Sequence, residues 1–402
     1  MKIAMLSDFY PPIIGGMERH VQSLSQELAK RGHEVAVCTI GHPDLPKYED
    51  KEGIKVYRLQ GFFQKIPFLF KDLAKRYQPP TQDRLIARQL RRIFGEEKPD
   101  VIHAHGWILY SALPLKRDFN IPLLATLHDY GFLCPKRSLL SNKNALCDGP
   151  FTRKCISCGR EQYGFIKSLA TYYGVKTNKD KLRSADKFIA VSSFMKQVYA
   201  KHLGLSDDDI ATIPNFYAPD VNEQQEEAIE LPQDFVLFVG VLAPFKGVNL
   251  LIEACQKLNG QTKLILIGGT HPGYHYESAE NILIIENAPH DVVMQAMSRC
   301  RFAAFPSIWP DPCPTVALEA MSQKKAVIAS DTGGLRDIVA DQQTGILVPA
   351  NDRDKLAEAI SYLLQSPEMA SEMGNRGYDR LAKNYMLDAV MTKTIALYES
   401  LI

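Results

Sequence analysis

The feature that most constrains the fold is an alternation of short apolar runs with helix-favouring stretches, which occurs in two successive series. The first series is made of KIAMLSD, EVAVCTI, IKVYRL, DVIHAH, PLLATLH and DKFIAV, and the second of FVLFVG, KLILIG, NILIIE, RFAAFP and AVIAS. Apolar runs of this length are typical of strands buried on both faces of a parallel sheet that helices cover. The sequence therefore predicts an α/β fold made of two doubly wound domains.

The length of the chain and one polar segment indicate where these domains meet. At 402 residues the chain is too long for one ordinary core, and APDVNEQQEEAIELPQ separates the two series. We predict an N-terminal domain at 1–215, a linker at 216–232 and a C-terminal domain at 233–384. Ligands bind beyond the carboxyl ends of the strands in such sheets, so two facing domains would define a cleft.

The charge is divided unevenly between the two halves. Residues 1–215 hold 33 Lys and Arg against 22 Asp and Glu, whereas residues 216–402 hold 14 against 24. The excess of positive charge predicts an anionic partner for the first half. The stretch 61–92 adds phenylalanines beside lysines and arginines, a pattern found on surfaces that contact an anionic membrane. A helix packed on the sheet with a solvated basic face would show the same pattern. No nucleic-acid-binding motif accompanies the charge, so nucleic acid is not expected.

Targeting signals are not evident in the sequence. No apolar run approaches the roughly 18 residues of a membrane span, and MKIAMLSDFY lacks the apolar stretch of a signal peptide. The sequence therefore predicts a cytoplasmic protein, with peripheral contact at the inner face of the membrane.

An unusual segment, PSIWPDPCPTVALEAM, joins the strand pattern RFAAFP to a helical pattern. Pro314 suits the first turn of a helix, and the free amides of Thr315 and Val316 would then form an anion site at the positive end of the helix dipole. Asp311 and Glu319 stand on either side of that helix start, where they could accept hydroxyl groups. The segment suits a sugar nucleotide, and it suits equally a helix cap followed by a surface acid.

The longer segment FPSIWPDPCPTVALEAMSQKKAVIASDTGGLRDIV resembles the signature of retaining GT-B glycosyltransferases of family four. YPPIIGGMERHV, LHDY, IPN and LFVGVLAPFKGVNLLIEA extend the resemblance over nearly the whole chain. It implies the GT-B fold, with two Rossmann-like domains and a closing segment, 385–402, that crosses back to the first domain. It also implies transfer of a sugar from a nucleotide diphosphate donor to an acceptor hydroxyl, in the synthesis of a polysaccharide, glycolipid or related glycoconjugate, without a required metal. The acceptor would be a glycan or a lipid-linked molecule.

The resemblance further implies roles for single residues. Glu319 would hold the ribose of the donor, Asp311 the hydroxyl groups of the transferred sugar, and Lys246 the leaving phosphate. His128 would donate a hydrogen bond to the transferred sugar, although a histidine at a strand end is often a structural group. The other nucleotide-sugar contacts are predicted at Gly15, Gly16, Asn287, Ala288, Cys313, Pro314, Thr315 and Val316.

The sequence departs from the family pattern at two positions. Asp311 stands where the family usually has Glu, and Val241 where it usually has an Arg that pairs with the lysine on the phosphates. The second departure keeps a non-catalytic, nucleotide-sugar-binding partner subunit open as an alternative, and a sugar-nucleotide epimerase of the same fold also remains open. A dinucleotide dehydrogenase is not expected, because G-x-G-x-x-G does not follow the first strand.

Four of the eight cysteines lie within one loop region, in the arrangement C-x12-C-x7-C-x2-C. They are Cys134, Cys147, Cys155 and Cys158. This spacing suits a closed, structural zinc site with four thiolate ligands, while an iron–sulfur cluster and reduced free thiols are the alternatives. A metal bound there would brace the loop that follows His128 and would take no part in the chemistry.

Overall fold

The computed structural model describes residues 1–13, 15–66, 78–141, 146–147, 149–219, 230–258, 262–276 and 280–402. The chain forms two units. The first takes in Met1–Asn142, Cys147–Ile213 and Met391–Ile402, and the second is made mainly of Pro214–Val390.

The first unit is built on an eight-stranded sheet in the order β3-β4-β2-β1-β5-β6-β7-β8, parallel except for the edge strand β3. Its strands are β1 (Lys2–Ser7), β2 (Glu34–Ile40), β3 (Tyr48–Lys51), β4 (Ile54–Leu59), β5 (Val101–His105), β6 (Leu123–Leu127), β7 (Lys187–Ala190) and β8 (Ile210–Thr212). Its helices are α1 (Gly16–Lys30), α2 (Arg84–Glu97), α3 (Leu109–Phe119), α4 (Lys154–Tyr163), α5 (Phe165–Leu182) and α6 (Ser193–Leu203).

The second unit has a six-stranded parallel sheet in the order β11-β10-β9-β12-β13-β14. Its strands are β9 (Phe235–Val239), β10 (Lys263–Ile267), β11 (Ile282–Ile285), β12 (Phe302–Phe305), β13 (Val327–Ser330) and β14 (Gly345–Val348). Its helices are α7 (Val248–Gln256), α8 (His290–Arg299), α9 (Thr315–Ser322), α10 (Leu335–Ile338), α11 (Arg353–Gln365) and α12 (Pro367–Asn384), followed by α13 (Leu387–Glu399), which ends in the first unit.

Local sequence explains where several helices begin. Asp83 precedes α2, and its Oδ1 accepts hydrogen bonds from the amides of Leu85 and Ile86 at 2.8 and 3.3 Å. Ser192 caps α6 by accepting from the amide of Met195. Each cap satisfies amides that a helix leaves unpaired and contributes about 1 kcal/mol.

Strand order defines one topological switch point in each sheet, where the chain leaves neighbouring strands in opposite directions. In the first sheet this point lies between β1 and β5, and in the second between β9 and β12. The carboxyl ends of such strand pairs are where open α/β sheets bind ligands. The segments that follow these four strands are therefore the places to look for a site.

The predicted fold class is confirmed: two α/β units with parallel sheets covered by helices. The first unit ends at Ile213, beside the boundary that we predicted at 215, and it takes up 391–402 of the predicted closing segment. Tyr398 on α13 is fully buried, and its hydroxyl lies 2.6 Å from His103 Nδ1.

Two predicted segments fall partly outside the described residues. They are the linker, of which 220–229 is not described, and the basic aromatic stretch, of which 67–77 is not described. Among the described helices, none combines the length and the apolar character needed to cross a membrane.

Candidate functional site

The segments that follow β9 and β12 meet at the switch point of the second sheet. The carbonyl of Phe245 accepts hydrogen bonds from the amides of Ile308 and Trp309, at 3.0 and 2.9 Å. Gly247 has φ +74°, and a Cβ there would lie 1.9 Å from the carbonyl oxygen of Pro306. Only glycine allows this close approach, so the packing of the two segments requires the glycine of FKGV.

Lys246 and Asp311 are brought together by this packing. Lys246 Nζ forms an ion pair with Asp311 Oδ2 and lies 4.8 Å from the centre of the Trp309 ring, as in a cation–π contact. The Asp311 carbonyl accepts from the amide of Gly334 at 2.7 Å, and a Cβ on Gly333 (φ +57°) would lie 2.4 Å from the same oxygen. The Gly-Gly pair of the signature therefore supports the loop that carries Asp311.

The helix start predicted after this loop is present, with one difference. Helix α9 begins at Thr315, so Pro314 is the residue before the helix rather than its first residue. Thr315 and Val316 then open the first turn, where helical amides have no partner within the helix. Cys313 is buried; burial raises the pKa of its thiol to about 12, and its carbonyl accepts from Asn215 Nδ2 at 3.0 Å. Because the Cys313 thiol is buried and neutral, a ligand at this helix start would contact the backbone rather than that side chain.

Glu319 lies on α9 with a partner that the sequence did not suggest. Its Oε1 is 3.7 Å from His290 Nε2, at the first residue of α8. Asn287 and Ala288 lie in the same β11–α8 connection, Asn287 exposed and Ala288 half-buried. The connection predicted to contact the nucleotide sugar is therefore followed directly by a neighbour of the predicted ribose-binding carboxylate. No sequence signal marked His290, because the contact depends on how α8 packs against α9.

The remaining predicted residues belong to the first unit. Gly15 precedes α1 and Gly16 is its first residue, so both open a helix that follows β1. His128 directly follows β6, and its Nε2 lies 2.8 Å from Nδ1 of His105, the last residue of β5. Burial, with smaller effects of His103 and Arg137, lowers the pKa of His128 to about 3. The imidazole is therefore neutral near pH 7 and can donate from one nitrogen only.

The four cysteines of the predicted zinc site lie in different local settings. Cys134 and Cys155 are buried, and burial raises the pKa of Cys134 to about 11. Cys158 Sγ contacts the carbonyl of Leu140 at 3.6 Å, and the amide of Cys147 donates to the neighbouring Leu139. Within the described ranges, three histidines, not three of these cysteines, form the group of potential metal ligands that lie within 4.8 Å of one another. Zinc at the cysteines stays a prediction.

Comparisons with known proteins indicate the family to which the chain belongs. Residues 14–221 match the family described as Glycosyltransferase Family 4, and residues 220–380 match the family described as Glycosyl transferases group 1. An uncharacterized glycosyltransferase of Methanocaldococcus jannaschii is 25% identical over 426 residues, which cover 99% of this chain and 98% of that protein.

Two solved structures share the fold. The sucrose-phosphate synthase of Thermosynechococcus elongatus superposes with a TM-score of 0.73 at 23% identity, covering 100% of this chain and 98% of that one. Anabaena HepE in complex with UDP-glucose superposes with a TM-score of 0.66 at 17% identity, over 100% of both chains.

Proposed function

Because the chain belongs to glycosyltransferase family 4, we propose that it transfers a sugar from a nucleotide diphosphate donor to an acceptor hydroxyl, with retention of configuration. The observation that carries the proposal is the meeting of Lys246 and Asp311 at the switch point of the second sheet. One cation and one carboxylate at this edge match the two needs of such a donor, a leaving diphosphate and a sugar rich in hydroxyl groups.

The charges at this edge support a division of roles. The ammonium of Lys246 and the first amides of α9 present positive charge, which would stabilise the diphosphate as its bond to the sugar breaks. In the free protein Asp311 accepts a hydrogen bond from Lys246. Once phosphate oxygens pair with Lys246 instead, Asp311 would accept hydrogen bonds from the sugar hydroxyls. Glu319, one turn inside α9, would accept the ribose hydroxyls. Protein groups therefore supply the charge stabilisation in this proposal, and a metal is not required for the chemistry.

The donor class is supported by a likeness of fold. HepE shares the fold of the whole chain and was solved in complex with UDP-glucose, which supports a nucleoside diphosphate sugar as the class of donor here. His128 would donate a hydrogen bond to the transferred sugar from its protonated nitrogen. For the acceptor we propose a glycan or a lipid-linked molecule of a cell-surface polysaccharide or glycoconjugate. The 33 cationic against 22 anionic side chains of residues 1–215 favour an anionic acceptor or an anionic membrane surface.

One observation favours a second candidate, a non-catalytic subunit that binds nucleotide sugars. Val241 is 46% exposed, so the position usually occupied by a phosphate-binding arginine carries an uncharged side chain in the present chain. Loss of one charged phosphate contact costs roughly 1.5–3 kcal/mol of binding.

A donor screen tests the proposal and separates its rivals. The protein is incubated with UDP-, GDP- and ADP-sugars, and release of nucleoside diphosphate is followed with Lys246→Met as the matched control. We expect slow hydrolysis of one donor, abolished in the variant. Thermal stabilisation by a nucleoside diphosphate without any hydrolysis would instead support the binding subunit, and conversion of one nucleotide sugar into its epimer would support an epimerase.

A further inference from the structure

We propose that His20, His105 and His128 form a binding site for a divalent transition metal ion of the Zn²⁺ type. Each imidazole offers one nitrogen, and the three nitrogens lie within 4.8 Å of one another. The site lies in the first unit, and it goes beyond the proposed function, in which His128 contacts a sugar and no metal takes part.

The topology of the first sheet brings the three side chains together. His105 ends β5, and because it is paired with Thr126 of β6, His128 lies two residues further along the neighbouring strand. His20 comes from the second turn of α1, the helix that follows β1, and β1 is the other neighbour of β5. The cluster therefore lies at the carboxyl edge of β5 and β6, beside the switch point.

The distances between the three rings come near those of a tetrahedral zinc site, although small shifts are needed. His105 Nδ1 and His128 Nε2 are 2.8 Å apart, and the His20 ring centre lies 4.8 Å from that of His128 and 5.9 Å from that of His105. Zinc binds imidazole nitrogen at about 2.0–2.1 Å, which puts two tetrahedral ligands about 3.3 Å apart. The His105–His128 pair must therefore open by about 0.5 Å, and the most distant pair of nitrogens, at up to 4.8 Å, must close by up to about 1.5 Å, through rotations of the side chains.

The protons of the two hydrogen-bonded rings can be placed consistently with metal binding. Only one proton lies between the two facing nitrogens, and metal binding requires it to move to the far nitrogen of its own ring, so that His105 is protonated on Nε2 and His128 on Nδ1. His105 Nε2 lies 3.1 Å from Met5 Sδ, a weak acceptor that holds this tautomer.

The surroundings favour a borderline-soft ion over Mg²⁺ or Ca²⁺. The three ligands are nitrogen atoms, whereas Mg²⁺ and Ca²⁺ require oxygen ligands. The nearby Asp129 is paired with Arg137 at 2.7 Å, and the carboxylate of Asp8 accepts from the amides of Trp107 and Ile108. Three protein ligands leave a fourth position open, and His20 and His128 are half-buried, so the ion can reach the site from solvent.

The consequence for activity rests on the proposed function. If His128 donates to the transferred sugar from Nε2, an ion bound at that nitrogen would replace the donated proton and compete with the substrate. Micromolar Zn²⁺ would then inhibit transfer, and a chelator would restore it.

Titration of tag-free protein with Co²⁺, a spectroscopic substitute for Zn²⁺, tests the site without an activity assay. We expect visible absorption bands of four-coordinate Co²⁺ with no thiolate charge-transfer band, at about one ion per chain in a Cys155→Ser background. Zn²⁺ should displace the Co²⁺. His20→Gln and His128→Gln should each weaken binding at least tenfold, and His202→Gln, a half-buried histidine near the end of α6, should leave it unchanged.

Circular dichroism and thermal unfolding would show whether the variants are folded, and His20→Gln and His128→Gln both remove half-buried rings rather than the fully buried His105. Equal Co²⁺ affinity in wild type and His20→Gln, or a spectrum made only of thiolate bands, would overturn the proposal. Because the readout is metal binding, its failure would leave the proposed transferase activity untouched, and the absence of that activity would leave the metal site untouched.

Discussion

Lys246 and Asp311 form an ion pair although 65 positions separate them in the chain. Their side chains are only 20% and 13% exposed, so the pair is largely withdrawn from water. A donor that brings a diphosphate to this edge would take over the lysine and release the carboxylate to the sugar. The free protein thus keeps both charges compensated at the place where the proposed chemistry needs them.

Asp311→Asn tests the role of the carboxylate. The amide keeps the shape of the side chain but cannot accept hydroxyl protons as a charged group, and positive charge develops on the sugar during transfer. We expect kcat to fall about 100-fold while KM for the donor changes less than threefold. Steady-state kinetics with the donor found in the screen provide the measurement, and a change confined to KM would contradict the assignment.

Glu319→Gln should act mainly on donor binding. Ribose contacts change little along the reaction, so losing the charged acceptor should raise KM roughly 10-fold or more and leave kcat nearly constant. Titration calorimetry with the nucleoside diphosphate gives the same comparison without turnover. His290→Gln, which removes the neighbour of Glu319 without touching the carboxylate, is the matched variant and should have a smaller effect. Equal loss of kcat and kcat/KM in Glu319→Gln would rule out a ribose contact.

Val241→Arg restores the residue that the family usually has. The position is 46% exposed, so an arginine can be accommodated without displacing the core. We expect donor affinity to rise by up to about 10-fold, which corresponds to about 1.4 kcal/mol, through one added phosphate contact. Val241→Gln, similar in length but uncharged, serves as the control. Loss of donor binding in the arginine variant would show that the donor site of this chain does not accommodate an arginine at position 241.

The stability of the first unit should depend on pH through Glu97. Its carboxylate accepts from Lys55 Nζ at 2.6 Å and from the Tyr57 hydroxyl at 2.5 Å. Burial raises the pKa of Glu97, but these hydrogen bonds outweigh burial and hold the pKa below the ordinary value of 4.5. A carboxyl whose pKa is lower in the folded state stabilises the protein above the unfolded pKa and stops doing so as pH falls through the folded value.

Glu97→Gln should therefore lower the free energy of unfolding by about 1 kcal/mol at neutral pH. The difference from wild type should shrink as the pH falls below about 4.5 and vanish at lower pH. Urea unfolding of both proteins across this range provides the test. A difference that stays constant with pH would mean that Glu97 acts through packing alone.

The zinc prediction for the cysteine loop is tested by the metal content of the purified protein. If Cys134, Cys147, Cys155 and Cys158 bind zinc, freshly purified protein should be colourless and carry about one metal ion per chain at these thiols. Cys155→Ser should remove that ion and increase proteolysis near residue 150, whereas Cys255→Ser, at a buried thiol on α7, should retain it. Elemental analysis measures the outcome: iron in a brown sample would indicate a cluster, and fully active protein without metal at the thiols would exclude the site.

The sequence by itself determined the fold class and the presence of the loops that carry Lys246 and Asp311. These follow from local patterns, because a strand buried on both faces is apolar along its length, and the Gly and Pro residues of FKGV and PDPCP mark tight strand-to-helix loops. The carboxyl-edge rule then placed both loops on the ligand-binding side of their sheet before any distance was known.

The partners of these residues were decided only by the tertiary structure. Strand order puts β9 beside β12 and β5 beside β6, and these neighbourhoods create the Lys246–Asp311 pair and the cluster of His20, His105 and His128. The contacts of Glu319 with His290 and of His103 with Tyr398 depend likewise on helix packing. Local patterns carry no information on such long-range distances, because the strand order of the folded sheet decides which residues distant in sequence become neighbours.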